Sequence, residues 1–219
     1  MTDRMDTRQN RQSIIDAGLE MNATGLNQGT SGNISLRCET GILITPSGIA
    51  YDKLVPEDIV LVREDGSCPD EQVPSSEWKF HFAAYRAQKT ANAVVHNHAL
   101  NATTLAILNR PIPAIHYMVA VGGGNDIPVI DYATYGTGAL SDLVHEGLIE
   151  RKAILMRHHG MIATGPTLAK AMWLAGEVEA LATLYVNLLQ ITDTPPCLPD
   201  DEIDRVLKKF ESYGLREKA

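Results

Sequence analysis

The sequence holds little of what disulfide-linked or membrane-spanning proteins need. Its 219 residues include only three cysteines, Cys38, Cys68 and Cys197, and none forms a CxxC pair. An odd number of widely spaced cysteines argues against a disulfide framework and fits a reducing compartment. No window approaches about 18 uninterrupted apolar residues, so we expect no transmembrane helix. The polar start, MTDRMDTRQN, lacks the apolar segment of a signal peptide, and we therefore expect a cytoplasmic protein.

Positive charge is also scarce. The chain has 19 Lys and Arg against 27 Asp and Glu, a formal net charge of −8. This balance argues against a broad surface for nucleic acid or anionic membrane, and we expect neither as a partner. It leaves room for a small pocket that binds an anion. With 44% hydrophobic residues, the chain is long enough to bury one sizeable core.

Helical and strand patterns alternate along the chain. Helices are predicted at 8–24, 74–88, 99–108, 137–150, 166–191 and 200–212, with Ser75 or Ser76 near the second helix start. Strands are predicted at 34–38, 41–46, 92–98 and 126–132, a turn and strand at 56–62, and two strand pieces that meet at Gly160 in 153–165. Alternation predicts an α/β fold with a sheet covered by helices, and the hairpins indicate a mixed sheet.

The stretch VVHNHAL places two histidines, His96 and His98, two residues apart after a β-branched run. Successive side chains of a strand point to opposite faces, so these two imidazoles share a face. Two such rings can converge on one metal ion. The HxH pattern alone is a weak motif, and hydrogen-bonded strand histidines are the alternative.

The segment RHHG offers a third metal ligand, either His158 or His159. Their faces are expected to be opposite, so only one of them can join the pair. Three histidines leave a position open for substrate, as a catalytic zinc site requires. The residues alone do not decide which histidine points inward, and HHG is also compatible with a polar strand end.

Glu77 is the fourth candidate for this site, although a first-turn glutamate commonly serves only the helix dipole. His81 follows four residues later, on the same helix face, and we interpret it as structural. The segments GTSGN, TPSG and PSSE carry small residues, hydroxyls and turn N–H groups. Such donors can bind phosphate without much positive charge, although ordinary turn and capping chemistry explains each segment by itself.

Seven motifs together resemble one family. GLNQGTSGNIS, LITPSG, PSSEWKFH, VVHNHA, ILNRPIPAIHY, YATYGT and RHHGMIATG occur here in the order found in class II sugar-phosphate aldolases and epimerases. The resemblance covers roughly residues 8–190. It implies a single class II aldolase domain over 1–219, with a mixed, largely antiparallel sheet covered by helices on both faces. We expect a mobile C-terminal tail from about residue 192.

The resemblance also assigns roles to residues. It implies Zn²⁺ held by His96, His98 and His159, with Glu77 approaching the metal and acting as the acid/base. Phosphate-binding positions carry over to Gly32, Asn33, Ser47, Gly48, Ser75 and Ser76. Tyr117 matches a tyrosine that a neighbouring subunit supplies for the aldehyde half, and Tyr213 matches a second tyrosine from the tail. Tyr135 stands where Phe is usual, which indicates a more polar aldehyde pocket.

The implied activity is reversible aldol cleavage of a phosphorylated ketose, L-fuculose 1-phosphate, to dihydroxyacetone phosphate and L-lactaldehyde. The implied assembly is a homotetramer with active sites between subunits. A sugar-phosphate 4-epimerase or a related lyase on the same scaffold is the alternative. Epimerases of this kind tend to carry Asp where Glu77 stands, so Glu77 favours an aldolase. A zinc-dependent binding module without turnover is the third possibility.

Overall fold

Short β-branched stretches separated by turn residues form the sheets, and apolar-periodic segments form the helices. The computed structural model describes residues 5–212. The strands are β1 (Asn33–Arg37), β2 (Gly41–Ile44), β3 (Val60–Arg63), β4 (Ala93–Asn97), β5 (Ile112–Pro113), β6 (Asp126–Ile127), β7 (Val129–Ile130), β8 (Ala153–Met156) and β9 (Gly160–Gly165). The helices are α1 (Arg8–Ala23), α2 (Trp78–Ala87), α3 (Leu100–Ile107), α4 (Gly138–Leu148), α5 (Leu168–Leu189) and α6 (Asp200–Ser212), with 3₁₀ segments at Tyr51–Lys53, Pro56–Asp58 and Tyr117–Gly122.

Seven strands form the central sheet in the order β3-β2-β1-β4-β9-β8-β7, and β5 pairs with β6 separately. Strands β7 and β8 are parallel, and the other neighbours in the central sheet are antiparallel. The expected mixed, largely antiparallel sheet is therefore confirmed. Neighbouring antiparallel strands bring the start of β1, the end of β4 and the start of β9 to one end of the sheet.

Each face of the sheet is covered by its own set of helices. Ile34 of β1 and Val95 of β4 belong to the core on one face, together with buried residues of α1, α3 and α5. Val94 of β4 and Ile154 of β8 belong to the opposite core, with α2 and α4. The alternation of side chains along β4 therefore divides the two cores, and it places His96 on the α2 side with Val94.

The predicted strand at 126–132 is wrong as a single element. Pro128 separates β6 from β7, and the two pieces pair with different partners, β5 and β8. Proline has no backbone N–H, so it cannot continue a ladder of hydrogen bonds. The helix predicted from Pro74 also begins later than expected, since α2 begins at Trp78 and Glu77 occupies its N-cap position.

The C-terminal helix α6 packs on the 3₁₀ segment at 117–122. Ile203 and Val206 of α6 form a small apolar cluster with Ala114 and Ala120. Leu198 N donates a hydrogen bond to the Ala114 carbonyl oxygen at 2.8 Å, which ties the preceding segment to the same place. The predicted mobility of the tail stays a prediction. Among residues 5–212, every helix is too short or too polar to cross a membrane.

Helix α3 begins directly after the HxH segment, and a carboxylate of α5 caps its start. Ala99 occupies the N-cap position and supplies no side-chain cap. Glu179 accepts hydrogen bonds from Asn101 N and Ala102 N at 3.0 and 2.8 Å, and from Asn101 Nδ2 at 2.9 Å. A negative charge at a helix N-terminus satisfies free N–H groups and complements the helix dipole. Glu179 therefore joins α5 to α3 three and four residues beyond His98.

Replacing Glu179 by Gln is expected to lower the free energy of unfolding by about 1–2 kcal/mol, because an amide keeps one acceptor but loses the charge. Urea unfolding of the two proteins measures the difference. Glu177→Gln, on the same helix but outside this cap, is the matched control and should change the midpoint little. Equal midpoints for both variants would contradict the capping role.

Candidate active site

Three histidines from separate parts of the chain converge at one end of the central sheet. One ring nitrogen from each of His96, His98 and His159 lies within 4.8 Å of the others. The ring centroids of His96 and His98 are 5.0 Å apart, and those of His96 and His159 are 4.8 Å apart. His98 follows the last residue of β4, and its Nε2 lies 3.2 Å from His96 Nε2. The shared direction expected from the HxH pattern is thus observed.

The turn between β8 and β9 selects His159 rather than His158. His158 has a φ of +54°, which turns the chain between the two residues. Its exposed ring faces Tyr132, whereas His159 points to the other histidines. A Cβ on Gly160 would lie 2.4 Å from the Asn97 carbonyl oxygen and 2.7 Å from His98 Cδ2. Only glycine permits this close approach of β9 to β4.

The polar atoms of this cluster fit a bound cation. His96 Nδ1 lies 2.9 Å from the Met161 carbonyl oxygen, which only accepts, so Nδ1 carries the proton and Nε2 presents a lone pair. That Nε2 lies 3.3 Å from Glu77 Oε2. Glu77 Oε1 is buried without a hydrogen-bond partner among the described residues, 3.0 Å from His159 Nε2. The lone pair of His96 Nε2 and the Glu77 carboxylate thus face each other beside two further ring nitrogens, a set of ligand atoms that could hold a divalent cation.

The electrostatics of the cluster agree with a metal site. Burial by itself raises the pKa of the Glu77 carboxyl, but His96, His159 and the Asn33 amide oppose it and hold the pKa well below its usual range. Burial lowers the pKa of His96 to about 3 and lowers the pKa of His98 as well. One negative carboxylate thus stands beside two imidazoles that are neutral near pH 7, as metal ligation requires.

The segments predicted to bind an anion are joined to one another by hydrogen bonds. Ser75 N donates to the Thr45 carbonyl oxygen at 3.0 Å, and Ser47 N donates to the Val73 carbonyl oxygen at 3.0 Å. An isolated bridge between Pro46 and Pro74 joins the same two segments. The TPSG and PSSE loops are therefore paired, although they are far apart in sequence.

The GTSGN loop reaches the same place through β1. Asn33 pairs with His96 in the register of β1 and β4, and a Cβ on Gly32 would lie 2.8 Å from the His96 carbonyl oxygen. Asn33 Nδ2 donates to Glu77 Oε2 at 2.8 Å. The GTSGN segment thus contacts Glu77 through Asn33, and the PSSE segment contains Glu77 and pairs with TPSG, so the three segments adjoin one another.

The donors in these segments are not all available to an anion. The N–H groups of Ser47 and Ser75 are used between the two loops, and Ser75 Oγ accepts from Glu77 N at 3.3 Å. Hydroxyl protons of Ser47 and Ser75 remain as donors, because a hydroxyl can donate and accept at once. Ser47, Gly48 and Ser76 are exposed. The phosphate-binding roles stay predictions.

Two of the predicted aromatic residues, Tyr117 and Tyr135, are exposed. Tyr117 begins the 3₁₀ segment and is 48% exposed. Tyr135 is 65% exposed, and the neighbouring Gly136 lies against the Ser76 carbonyl group. Tyr213 lies outside the described residues. The roles of Tyr117 and Tyr213 in catalysis therefore stay predictions.

Sequence reasoning missed the buried partners of Asn33. His81 Nε2 lies 2.5 Å from Asn33 Oδ1, and His81 Nδ1 lies 2.7 Å from Ser35 Oγ. Tyr85 OH lies 2.9 Å from the same Ser35 Oγ. The available signal was the spacing Glu77-x₃-His81-x₃-Tyr85, which places three polar side chains on one face of a helix.

Comparison with known proteins identifies relatives over almost the whole chain. Residues 12–186 match the family described as Class II Aldolase and Adducin N-terminal domain. The L-fuculose phosphate aldolase of Escherichia coli O6:H1 is 55% identical over 212 residues, which cover 97% of this chain and 99% of that protein. The 5-methylthioribulose-1-phosphate/5-deoxyribulose-1-phosphate aldolase of Escherichia coli O45:K1 is 52% identical over 205 residues, which cover 94% and 96%.

Solved structures agree with the sequence relatives. The structure of an L-fuculose 1-phosphate aldolase matches with a TM-score of 0.89 and 36% identity, covering 94% of this chain and 97% of that one. This match confirms the fold expected from the ordered motifs, a mixed α/β domain built on a mostly antiparallel sheet. The chain belongs to the class II aldolase and adducin N-terminal domain family.

Proposed function

We propose that this chain is a zinc-dependent aldolase that reversibly cleaves L-fuculose 1-phosphate to dihydroxyacetone phosphate and L-lactaldehyde. The observation that carries the proposal is the buried carboxylate of Glu77, which faces three converging histidines beside paired hydroxyl-bearing loops. Relatives named L-fuculose phosphate aldolase at 55% identity support the substrate. A base, a metal site and an anion site together would suit metal-dependent cleavage of a ketose phosphate.

The metal site would be formed by His96, His98 and His159, with Glu77 as a fourth ligand in the resting state. Three nitrogen donors and an exchangeable position are typical of catalytic zinc. When bound, the ion supplies Lewis-acid stabilisation of negative charge that develops on the substrate oxygens.

Glu77 is the proposed acid/base. In the condensation direction its carboxylate removes a proton from the hydroxymethyl carbon beside the carbonyl group of dihydroxyacetone phosphate. In the cleavage direction it returns this proton. A free carboxylate is a weak base for a carbon acid, so its position and burial have to compensate. The phosphate group would be held by Gly32, Asn33, Ser47, Gly48, Ser75 and Ser76, which orients the carbon toward Glu77.

The aldehyde half would be served from a neighbouring copy of the chain. We propose a cytoplasmic homotetramer in which Tyr117 of one copy donates a proton to the aldehyde oxygen at the site of the next, with Tyr213 of the tail as a second contributor. The 48% exposure of Tyr117 supports this role. Exposed apolar side chains such as Leu100 and Leu108 support a surface that is covered by self-association.

A second candidate substrate has its own support. An aldolase named for 5-methylthioribulose 1-phosphate and 5-deoxyribulose 1-phosphate is 52% identical to this chain, close to the 55% of the L-fuculose phosphate aldolase. The exposed Tyr135 would make the aldehyde region more polar than a phenylalanine at this position would. The two candidates share the phosphorylated half and differ in the aldehyde half.

Loss of one nitrogen donor should abolish tight metal binding. His159→Ala is expected to lose zinc on dialysis, because only two histidine nitrogens remain at the site. His158→Ala is the matched control, since that ring faces Tyr132 instead, and it should keep the metal. Zinc per chain is measured by elemental analysis of both variants. Equal zinc content in the two would contradict the assignment.

Glu77→Gln should separate metal binding from proton transfer. The histidines remain, so most of the metal is retained, while exchange of the carbon-bound proton of dihydroxyacetone phosphate with solvent falls by at least about 10²-fold. Proton NMR in D₂O follows this exchange without any aldehyde. The exposed Glu150→Gln variant is the control for the charge change. Unchanged exchange in Glu77→Gln would remove the proposed base.

The substrate assignment is tested by release of dihydroxyacetone phosphate, coupled to an NADH-consuming reductase. The zinc-loaded enzyme should cleave L-fuculose 1-phosphate with a kcat/KM about tenfold above that for 5-deoxyribulose 1-phosphate, as a pocket matched to one aldehyde allows. The reverse order would establish the second candidate. Inversion of the sugar without triose release would indicate an epimerase, and no turnover on either substrate would overturn the proposal.

A further inference from the structure

A continuous chain of hydrogen bonds runs from the interior of α2 to Glu77. Tyr85 OH lies 2.9 Å from Ser35 Oγ, and Ser35 Oγ lies 2.7 Å from His81 Nδ1. His81 Nε2 lies 2.5 Å from Asn33 Oδ1, and Asn33 Nδ2 donates to Glu77 Oε2 at 2.8 Å. All five residues are buried. These hydrogen bonds connect β1 to α2 through buried polar side chains.

The sequence spacing produces this chain of contacts. Asn33 and Ser35 are two residues apart on β1, so their side chains share the face that α2 covers. Glu77, His81 and Tyr85 recur every four residues from the N-cap of α2 onward, so they share the helix face toward the sheet. Ile34, which lies between Asn33 and Ser35 on β1, belongs to the opposite core. Two periodicities therefore place five polar groups in one line.

Hydrogen-bonding capacity fixes the direction of every bond in the line. An ionised carboxylate only accepts, so Asn33 turns its NH₂ group to Glu77 and its carbonyl oxygen to His81. That oxygen needs a donor, so His81 carries its proton on Nε2. Nδ1 then accepts from the Ser35 hydroxyl. The Tyr85 hydroxyl donates to Ser35, whose Oγ lies 2.9 Å and whose carbonyl oxygen lies 3.0 Å from it. Burial lowers the pKa of His81 to about 3, which agrees with a neutral ring that has one donor and one acceptor.

We propose that His81 is a positioning residue that acts through Asn33 on the proposed base, Glu77. Its Nε2–H holds the Asn33 amide in the one orientation that offers a donor to Glu77 Oε2, and Ser35 and Tyr85 hold His81 in the tautomer that this requires. Without His81 the amide can rotate and turn its oxygen toward the carboxylate, which repels it. The catalytic part of this inference rests on the proposed function.

The proton position is tested first in the unmodified protein. Neutron diffraction from crystals of the zinc-loaded protein shows which ring nitrogen of His81 carries hydrogen. A proton on Nε2 with the Asn33 NH₂ group toward Glu77 is expected. A proton on Nδ1 alone, or on both nitrogens, would overturn the inference. This readout does not depend on any substrate, so it remains decisive even if the proposed aldolase activity is refuted.

Two variants then test the effect on Glu77. His81→Phe has a similar volume but neither hydrogen bond, whereas His81→Gln places an amide N–H near the position of Nε2. Exchange of the carbon-bound proton of dihydroxyacetone phosphate should fall on the order of tenfold to hundredfold in the Phe variant, because a small displacement of a catalytic group slows the reaction by about this much. Its zinc content and the KM for dihydroxyacetone phosphate should stay unchanged. The Gln variant should recover most of the exchange.

His145→Phe is the matched control, because His145 is a partly buried histidine that contacts the Ala83 carbonyl group of α2 outside this line of hydrogen bonds. It should exchange at the normal rate. Normal exchange in His81→Phe, or equal loss in the Phe and Gln variants, would contradict the positioning role. If His81→Phe does not fold, Ser35→Ala replaces it in the test. This variant loses only the hydroxyl that fixes the tautomer of His81, and reduced exchange is again expected.

A double-mutant cycle separates positioning from a general structural effect. If His81 acts only through the Asn33 amide, then His81→Phe should reduce exchange little further once Asn33→Leu has removed that amide. Additive losses in the double variant would show that His81 acts by another route and would overturn the inference. A crystal structure of His81→Phe completes the test, since Glu77 Oε2 should move away from His96 Nε2, and an unmoved carboxylate would contradict it.

Discussion

The hydrogen bond from His96 Nδ1 to the Met161 carbonyl oxygen determines the chemistry available at this site. It forms because β4 and β9 pair with Asn97 opposite Met161, which places the carbonyl group beside the ring. With the proton held on Nδ1, the lone pair of Nε2 is directed toward Glu77 and His98. With the opposite tautomer, His96 would simply donate to Glu77, and the donor set for a cation would be lost. Strand pairing thus favours the proposed role of His96 as a metal ligand over a hydrogen bond from its ring to Glu77.

The face of the sheet under α2 combines an apolar core with a line of polar groups, which is unfavourable unless each polar group is satisfied. Val94 and Phe80 provide the apolar part, while Asn33, Ser35 and His81 bond to one another. Because the partners are themselves buried, no single member can be replaced by an apolar side chain without leaving another unsatisfied. The same arrangement that permits burial therefore restricts the orientation of Glu77 at the end of the line.

How much of this site the sequence predicts depends on how far apart in sequence the interacting residues lie. Strand alternation is local, so the shared direction of His96 and His98 followed from their spacing. The choice of His159 depended on one left-handed residue, His158, which periodicity does not reveal. The pairing of the TPSG and PSSE loops depends on a bridge between Pro46 and Pro74, and no local pattern encodes it. Ordered motifs of a family supplied those long-range relations, whereas residue chemistry alone left them open.

The two substrate names among the relatives correspond to a physical division of the site. In the proposed reaction the phosphorylated half is handled partly by the exposed Ser47, Gly48 and Ser76. Its reacting carbon is handled by the buried Glu77, which bonds to the buried Asn33 and Ser75. The aldehyde half would meet Tyr117 and Tyr135, which are 48% and 65% exposed in the chain. Exposed side chains can change with little effect on stability, whereas members of a buried network cannot. Substrate differences between such similar chains are therefore expected to arise from the exposed aromatic positions, while the metal site and the proposed base stay the same.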